Sequence, residues 1–306
     1  MFIEEYLKDL RAQRFRPDAL ARYVSRAWQR GKSDIAANPG ASRSIVVLGL
    51  ALFGTAFAGC VALALSSDLV TARRVLLWSG LWLLPLTAGL LLHVGLLRDR
   101  DGYSLSAVNL PTALTAARLA VVPALAVTLL THHWRAAFWI FIAAMWSDVL
   151  DGWLARRLRQ ETRLGTIFDP VTDIIFGLAL FLSLGAVHLV GPWVVALAVF
   201  RFGGLLVGGA ILNVFYGPVR VNSTLPGKVS GFIMGVLLGF LLLGPSYGAG
   251  RLGPILTPLA QDGAGVLLAG GVVHGAFLAW HNRRAIAEAQ AEKVIRDVRF
   301  GPRPGA

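Results

Sequence analysis

Eight long apolar segments constrain this chain more than any other feature of its sequence. Each is close to the ~20 mostly apolar residues that an α-helix needs to cross the hydrocarbon core of a bilayer. The segments lie at about residues 45–67, 75–97, 113–131, 134–155, 166–187, 192–215, 229–246 and 263–281. The chain is 56% hydrophobic and only 15% charged, whereas soluble domains carry roughly 25% charged residues. We therefore predict an all-α fold, a polytopic transmembrane helical bundle.

Turn-forming residues divide these segments into two groups. The stretch RDRDGYSLSAV, residues 98–108, has the composition of a turn and separates the first two segments from the last six. Apolar residues at helical spacing among basic ones precede the first segment, and Pro17 starts a second such stretch. We predict interfacial helices at 1–44, an extra N-terminal transmembrane hairpin at 45–97, a core of six transmembrane helices at 98–285 and a cytoplasmic tail at 286–306.

The basic residues indicate how the helices cross the membrane. The net charge is +12, and Lys and Arg concentrate in residues 1–44, 98–118 and 156–163, at Arg220 and Lys228, and after residue 282. These are alternate ends of the eight segments, and Arg73 and Arg74 are the exception. The positive-inside rule then places both termini on the cytoplasmic side, and we predict that the membrane is a bacterial inner membrane. The same distribution favours contact with anionic membrane lipids and argues against a nucleic-acid partner.

Four aspartates, Asp148, Asp151, Asp169 and Asp173, lie at the adjoining ends of the fourth and fifth segments. At 100° per residue, the two acids of each pair share one face of their helix, so two acidic stripes can face each other. Four neighbouring carboxylates repel one another in a low-dielectric environment, and divalent cations would relieve that repulsion. All-oxygen ligation suits Mg²⁺, Mn²⁺ or Ca²⁺. The pattern predicts a two-metal site for a phosphoryl group.

The residues around these aspartates resemble the signature of the CDP-alcohol phosphotransferase family. Asp148-xx-Asp151-Gly152-xx-Ala155-Arg156 is followed after eight residues by Gly165-xxx-Asp169-xxx-Asp173. The stretch NLPTALTAARL, residues 109–119, is similar to the family's first core helix, with Thr112 in place of its usual second asparagine. Within the family, the chain is most similar to phosphatidylglycerophosphate synthases and bacterial-type cardiolipin synthases.

The resemblance implies a function and a set of roles. Members transfer a substituted phosphate from a CDP-linked lipid to an alcohol, release CMP, bind two Mg²⁺ or Mn²⁺ ions and usually form homodimers. Carried over, Asp148, Asp151, Asp169 and Asp173 would ligate the metals, and Asp173 would also be the catalytic base. The residues implied in binding the CDP donor are Thr115, Arg118, Gly152, Ala155, Arg156 and Gly165.

Three basic residues suggest the chemistry of the acceptor. Arg201 stands alone within an apolar segment, where an arginine usually meets an anion or a water-filled cavity. Arg220 and Lys228 flank a stretch that resembles the Ser-x-x-Gly-Lys region of phosphatidylglycerophosphate and cardiolipin synthases. Together they favour a phosphorylated, glycerol-3-phosphate-like acceptor. Inositol phosphate, serine and phosphatidylglycerol stay open as alternatives.

Two other classes of protein are compatible with carboxylates in a membrane. A transporter with carboxylate ion sites would usually carry them near mid-bilayer in a repeated fold. Here they crowd one end of one hairpin, and the sequence shows no internal repeat. A catalytically inactive scaffold has no reason to keep four such charges. We therefore favour an enzyme.

We expect the acceptor to attack the donor phosphate directly and in line, since no Ser, Cys or His nucleophile stands in register with the aspartates.

Overall fold

The computed structural model of the chain is a bundle of α-helices, and it describes residues 16–66, 68–99, 101–158, 160–209, 225–248 and 255–277. The helices are α1 Pro17–Ala37, α2 Pro39–Ser66, α3 Leu69–Leu92, α4 Leu110–Ala120, α5 Val122–Leu130, α6 Trp134–Arg157, α7 Arg163–Ala186, α8 Pro192–Gly209, α9 Leu225–Tyr247 and α10 Ile255–Phe277. Those ranges contain no β-strand. The prediction of an all-α polytopic bundle is confirmed.

Eight of the described helical spans are long and apolar enough to cross a membrane. α4 and α5 together form one of them, Leu110–Leu130, and the helix is interrupted at Val121 because Pro123 follows. The eight predicted segments are all found, with shifted ends. The first span starts at Pro39 rather than 45, and the last starts at Ile255 rather than 263. The protein is an integral membrane protein.

The N-terminal part begins with the helix expected from Pro17. α1 starts at this proline, whose missing N–H is harmless in a first helical turn. Only Asn38 separates α1 from α2, so α1 is held at the edge of the first membrane span. Residues 1–15, which carry the other predicted interfacial segment, lie outside the described residues. The division of the chain into domains stays a prediction.

The polar residues gather at one end of the bundle, where α6 ends and α7 begins, and we call this the aspartate end. Hydrogen bonds join its segments: the Asn109 side-chain amide donates to the Gln160 carbonyl, and the Arg163 backbone N–H donates to the Arg98 carbonyl at 3.0 Å. α1 lies at the same end, because Gly31 packs directly on Leu92, the last residue of α3. A β-carbon at residue 31 would lie 2.9 Å from the Leu92 side chain.

The hairpin α2–α3 packs against the first core span and makes a specific polar contact with it. Pro123 has no N–H to donate to the carbonyl of Leu119, four residues earlier in the span. The Trp82 indole N–H of α3 donates to that carbonyl instead, at 2.9 Å. An unpaired carbonyl is costly at membrane depth, because no water is present to satisfy it. The hairpin therefore completes the hydrogen bonding of the core span.

Trp82→Phe tests this contact, because it keeps an aromatic ring and removes the N–H. The Leu119 carbonyl would lose its donor, so we expect the free energy of unfolding to fall by about 1–3 kcal/mol. The measurement is the thermal unfolding midpoint of the purified protein in detergent. Trp78→Phe is the matched control, since this α3 residue is 56% exposed and should change stability by less than about 0.5 kcal/mol. Equal losses in both variants would contradict the assignment.

Candidate active site

The four aspartates meet as the helical periodicity predicts, and a third helix contributes the positive charge between them. Asp148 and Asp151 lie in the last turns of α6, and Asp169 and Asp173 lie in the first turns of α7. Arg118 of α4 donates from Nη1 to Asp148, and the same nitrogen is 3.5 Å from Asp151 Oδ2. Its Nη2 is 3.1 Å from Asp173 Oδ1. One guanidinium thus contacts three of the four carboxylates.

Thr115, one helical turn before Arg118, reaches the fourth carboxylate. Its hydroxyl donates to Asp169 Oδ1 at 2.8 Å and is 3.2 Å from Asp151 Oδ2. A hydroxyl has one proton, so the shorter contact to Asp169 is the better hydrogen bond. Thr115 and Arg118 lie on the same face of α4 and together contact all four aspartates. Sequence reasoning grouped both residues with the donor and did not place them among the carboxylates.

The cluster is buried on one side and open on the other. The side chains of Arg118 and Asp151 are 3% and 9% exposed, whereas those of Asp148 and Asp173 are 47% and 59% exposed. Four carboxylates face one guanidinium, so the cluster keeps an excess of negative charge when all four are ionised. The open side is where a cation or a polar substrate could reach the carboxylates.

The residue types at this site fit a hard divalent cation, since carboxylate oxygens are the ligands that Mg²⁺ and Mn²⁺ prefer. Throughout the described part of the chain, however, no three His, Cys, Asp or Glu side chains are placed as a ligand set for one ion. The positive group in contact with Asp148, Asp151 and Asp173 is the Arg118 guanidinium. The carboxylates that could ligate a metal are therefore present, but a bound metal would have to change their present contacts.

The connection between α6 and α7 is held by a threonine that sequence reasoning missed. Thr162 caps α7 by accepting the Gly165 backbone N–H at 3.0 Å, and its hydroxyl is 3.4 Å from that of Thr112. The signal was present in the sequence, because a threonine directly before an apolar helix favours an N-cap. The cap fixes the start of the helix that carries Asp169 and Asp173.

The remaining residues implied in donor binding line the end of α6. Gly152 lies one turn after Asp148, and Ala155 follows at the next turn, partly buried. The exposed Arg156 side chain folds back over Gly152, where a β-carbon would lie 3.4 Å from Arg156 Nη1. These positions follow the exposed Asp148 along the last turns of α6. Their contact with a donor stays a prediction.

Of the three predicted acceptor residues, the structure describes only the side chain of Arg201, and the contacts described for it are not with the aspartate cluster. Arg201 lies in a π-helical turn of α8, Val199–Gly203, and its Nη1 donates to the Leu267 carbonyl of α10 at 3.1 Å. Gly271 makes room for this side chain, because a β-carbon there would overlap the guanidinium. Arg220 lies outside the described residues, and the structure describes the Lys228 backbone in α9 but not its side chain.

An apolar groove of about 520 Å³ runs between α6 and α9. Its walls are aromatic and aliphatic side chains, and two glycines of α9 widen it. It is lined by Phe138, Phe141, Ile142, Met145, Trp146, Val149, Phe232, Gly235, Val236, Gly239, Phe240 and Leu243. Val149 directly follows Asp148 in α6, so the groove reaches the level of the aspartates.

Comparison with known proteins agrees with this site. The family model for CDP-alcohol phosphatidyltransferase matches residues 108–276, which contain all four aspartates. A putative cardiolipin synthase of Mycobacterium tuberculosis is 31% identical over 176 residues, 56% of this chain and 75% of the relative. The CDP-diacylglycerol–glycerol-3-phosphate 3-phosphatidyltransferase 2 of Arabidopsis thaliana is 36% identical over 112 residues, 34% of this chain and 48% of the relative.

The corresponding Wigglesworthia glossinidia brevipalpis enzyme is 40% identical over 82 residues, 25% of this chain and 45% of the relative. No solved structure matches. The matched region begins directly before α4 and ends in α10, so it holds the helices that build the aspartate cluster. The chain belongs to the CDP-alcohol phosphatidyltransferase family and is a membrane-embedded transferase.

Proposed function

We propose that this enzyme transfers a phosphatidyl group from CDP-diacylglycerol to an alcohol that carries a phosphate, and releases CMP. The observation that carries the proposal is the cluster of four aspartates contacted by Thr115 and Arg118, inside the region matched by the family model. Relatives named as glycerol-3-phosphate phosphatidyltransferases and as a putative cardiolipin synthase support it. Glycerol-3-phosphate and phosphatidylglycerol both pair a hydroxyl with a phosphate, and glycerol-3-phosphate is our first candidate.

Asp148, Asp151, Asp169 and Asp173 would hold two Mg²⁺ or Mn²⁺ ions, which neutralise the charge of the donor's diphosphate when bound. Asp173 is the most exposed of the three aspartates that contact Arg118. It therefore is the one best placed to accept the proton of an arriving hydroxyl. As the acceptor oxygen bonds to the donor phosphorus, the bond from that phosphorus to CMP breaks, and the hydroxyl proton passes to Asp173.

The groove between α6 and α9 supports a lipid substrate. It is apolar, lies within the membrane spans and reaches the level of the aspartates. An acyl chain there would leave the headgroup at the open side of the cluster. Gly152, Ala155, Arg156 and Gly165 would receive the CDP moiety there. We also propose that the enzyme is a homodimer and that its active site and both termini lie on the cytoplasmic side.

The reaction is tested with purified enzyme, labelled CDP-diacylglycerol and a panel of acceptors, scored by lipid product. Asp173→Asn should bind the donor but lose transfer by about 10²-fold or more, because general-base catalysis is worth that much. Asp262→Asn is the matched control, an exposed acid in α10 remote from the cluster in sequence, and it should keep full activity.

Direct attack predicts that wild type does not exchange labelled CMP into CDP-diacylglycerol when the acceptor is absent. Such exchange would indicate a covalent lipid–enzyme intermediate and would overturn the proposed role of Asp173.

Arg201, Arg220 and Lys228 would hold the acceptor's phosphate. Phe202, next to Arg201, packs against Gly177, one turn beyond Asp173 on α7, so Arg201 is linked to the helix of the catalytic carboxylate. One Arg201 nitrogen bonds the Leu267 carbonyl, and a guanidinium has five N–H groups. The other N–H groups are therefore enough to bind a phosphate as well.

Arg201→Gln should raise the acceptor KM at least about tenfold while the donor KM changes little, because a hydrogen bond to a charged group is worth about 1.5–3 kcal/mol. Lys228→Ala should act in the same direction. Arg135→Gln is the matched control, since Arg135 also donates to a carbonyl of a neighbouring helix, that of Ser246 at 3.1 Å. Equal changes in the two KM values for Arg201→Gln would assign this residue to the donor or to packing.

The helix α1 would bind anionic lipid headgroups at the aspartate end. Leu20, Val24 and Trp28, spaced four residues apart, are 49%, 58% and 52% exposed. Residues 16–37 hold five basic and two acidic side chains, a net charge of +3. Apolar residues along one stripe with basic residues beside them are typical of helices that lie in a membrane surface. Because only Asn38 separates α1 from α2, α1 is held at the level of the membrane surface.

The one cysteine, Cys60, allows a direct test of α1. In a Cys60→Ser background, a polarity-sensitive fluorophore is attached through Val24→Cys or, as the matched control, Ser25→Cys. These neighbours differ by 100° around the helix. In vesicles, emission from position 24 should be shifted further to the blue than emission from 25, and phosphatidylglycerol should increase the difference. Identical emission at both positions, whatever the lipid, would contradict the interfacial placement.

A further inference from the structure

We propose that Arg118 is the resident counter-ion of the aspartate cluster, and that a divalent cation displaces its guanidinium from Asp148 and Asp173. This inference rests on the metal dependence proposed above. It concerns how the chain stays folded before the metal binds, and what must move when it does.

The contacts of Arg118 show a side chain that neutralises the cluster but is incompletely satisfied. Its two terminal nitrogens reach Asp148, Asp151 and Asp173, on two other helices. The residue is only 4% exposed, and its Nε has no hydrogen-bond partner in the described part of the protein. A buried guanidinium N–H without an acceptor is unfavourable. In a purely structural ion pair, we would expect Nε to have an acceptor as well. The unsatisfied Nε therefore suggests that Arg118 makes other contacts in a second state of the site.

Arg118 and a metal would need the same two carboxylates. The guanidinium contacts Asp148 Oδ1 and Asp173 Oδ1, which belong to the two exposed carboxylates of the cluster. A cation bound to both would bring its charge against the guanidinium in a partly buried site, where like charges repel strongly. The guanidinium and the metal ion therefore compete for Asp148 and Asp173. When a metal ion binds both carboxylates, Arg118 cannot keep its present contacts with them.

Thr115 does not compete in this way. Its hydroxyl donates to Asp169 Oδ1 and carries no charge, so a cation bound to that carboxylate would not be repelled by it. Thr115 is therefore a positioning residue that is compatible with both states. This difference makes Thr115→Val the matched comparison for Arg118, because it removes a contact with the same aspartate cluster without removing a charge.

The exchange would couple metal binding to donor binding. A guanidinium displaced from Asp148 and Asp173 needs another anionic partner, and a planar fork of N–H groups suits phosphate oxygens. The diphosphate of the donor has that chemistry. Arg118 would thus move from carboxylates to phosphate when metal and donor occupy the site.

The test is a titration of full-length protein in detergent with Mg²⁺, without substrates, followed by the thermal unfolding midpoint. Choline chloride at matched ionic strength controls for screening. Arg118→Gln should unfold at a lower temperature than wild type in EDTA, because the carboxylates lose their counter-ion. It should respond to Mg²⁺ at a half-saturating concentration about tenfold below that of wild type, since the competitor is gone. Thr115→Val should show no such increase in apparent affinity.

A higher Mg²⁺ requirement in Arg118→Gln than in wild type would overturn the inference, because Arg118 would then support the metal site. No response to Mg²⁺ or Mn²⁺ in either protein would remove the metal dependence on which it rests. A response to Mg²⁺ in Arg118→Gln but not in wild type would support the inference most strongly, because Arg118 would then exclude the metal completely. Should Arg118→Gln not fold, Arg118→Lys serves, because a single ammonium cannot span Asp148 and Asp173. It should also lower the Mg²⁺ requirement, and an unchanged requirement would count against the proposal.

Discussion

The contact between Arg118 and carboxylates of two other helices is the interaction on which the arrangement of α4, α6 and α7 depends. Asp148 and Asp151 belong to α6, whereas Asp173 belongs to α7, and the guanidinium joins both helices to α4. Removing Arg118 would leave the buried Asp151 carboxylate without its cationic partner, which is destabilising. Thr115 adds a neutral link between the same helices. The site and the helix packing are therefore one structure.

The two ends of the bundle are built differently around this contact. At the aspartate end, side chains and backbone of the connecting segments bond one another, as Asn109 does with Gln160. At the opposite end, Trp139 donates to the Tyr247 hydroxyl at 2.7 Å and joins α6 to α9. Between them the packing is apolar, with Phe141, Phe181 and Leu241 fully buried. The groove therefore runs along a helix whose two ends lie beside hydrogen-bonded contacts with other segments.

The sequence predicts the spans and the facing acidic stripes well, because hydropathy and helical periodicity are properties of neighbouring residues. It misplaces the start of the first span, since residues 39–44 are polar or small and still continue the helix. The position of Arg118 among the aspartates depends on how α4 packs against α6 and α7, which no local pattern contains. A clue did exist, because an arginine buried in a membrane helix requires an acidic partner. The Arg201 contact with Leu267 likewise depends on packing between distant segments.

The bond from Trp82 to the Leu119 carbonyl has a consequence for how this family could gain or lose parts. Leu119 adjoins Arg118, and Pro123 is the reason its carbonyl is open to a donor from outside the span. The hairpin and the proline are therefore interdependent. In a chain that keeps this proline without the hairpin, the carbonyl would need another donor. In a chain that keeps the hairpin without this proline, the Trp82 indole would meet a carbonyl that a backbone N–H four residues later can already satisfy.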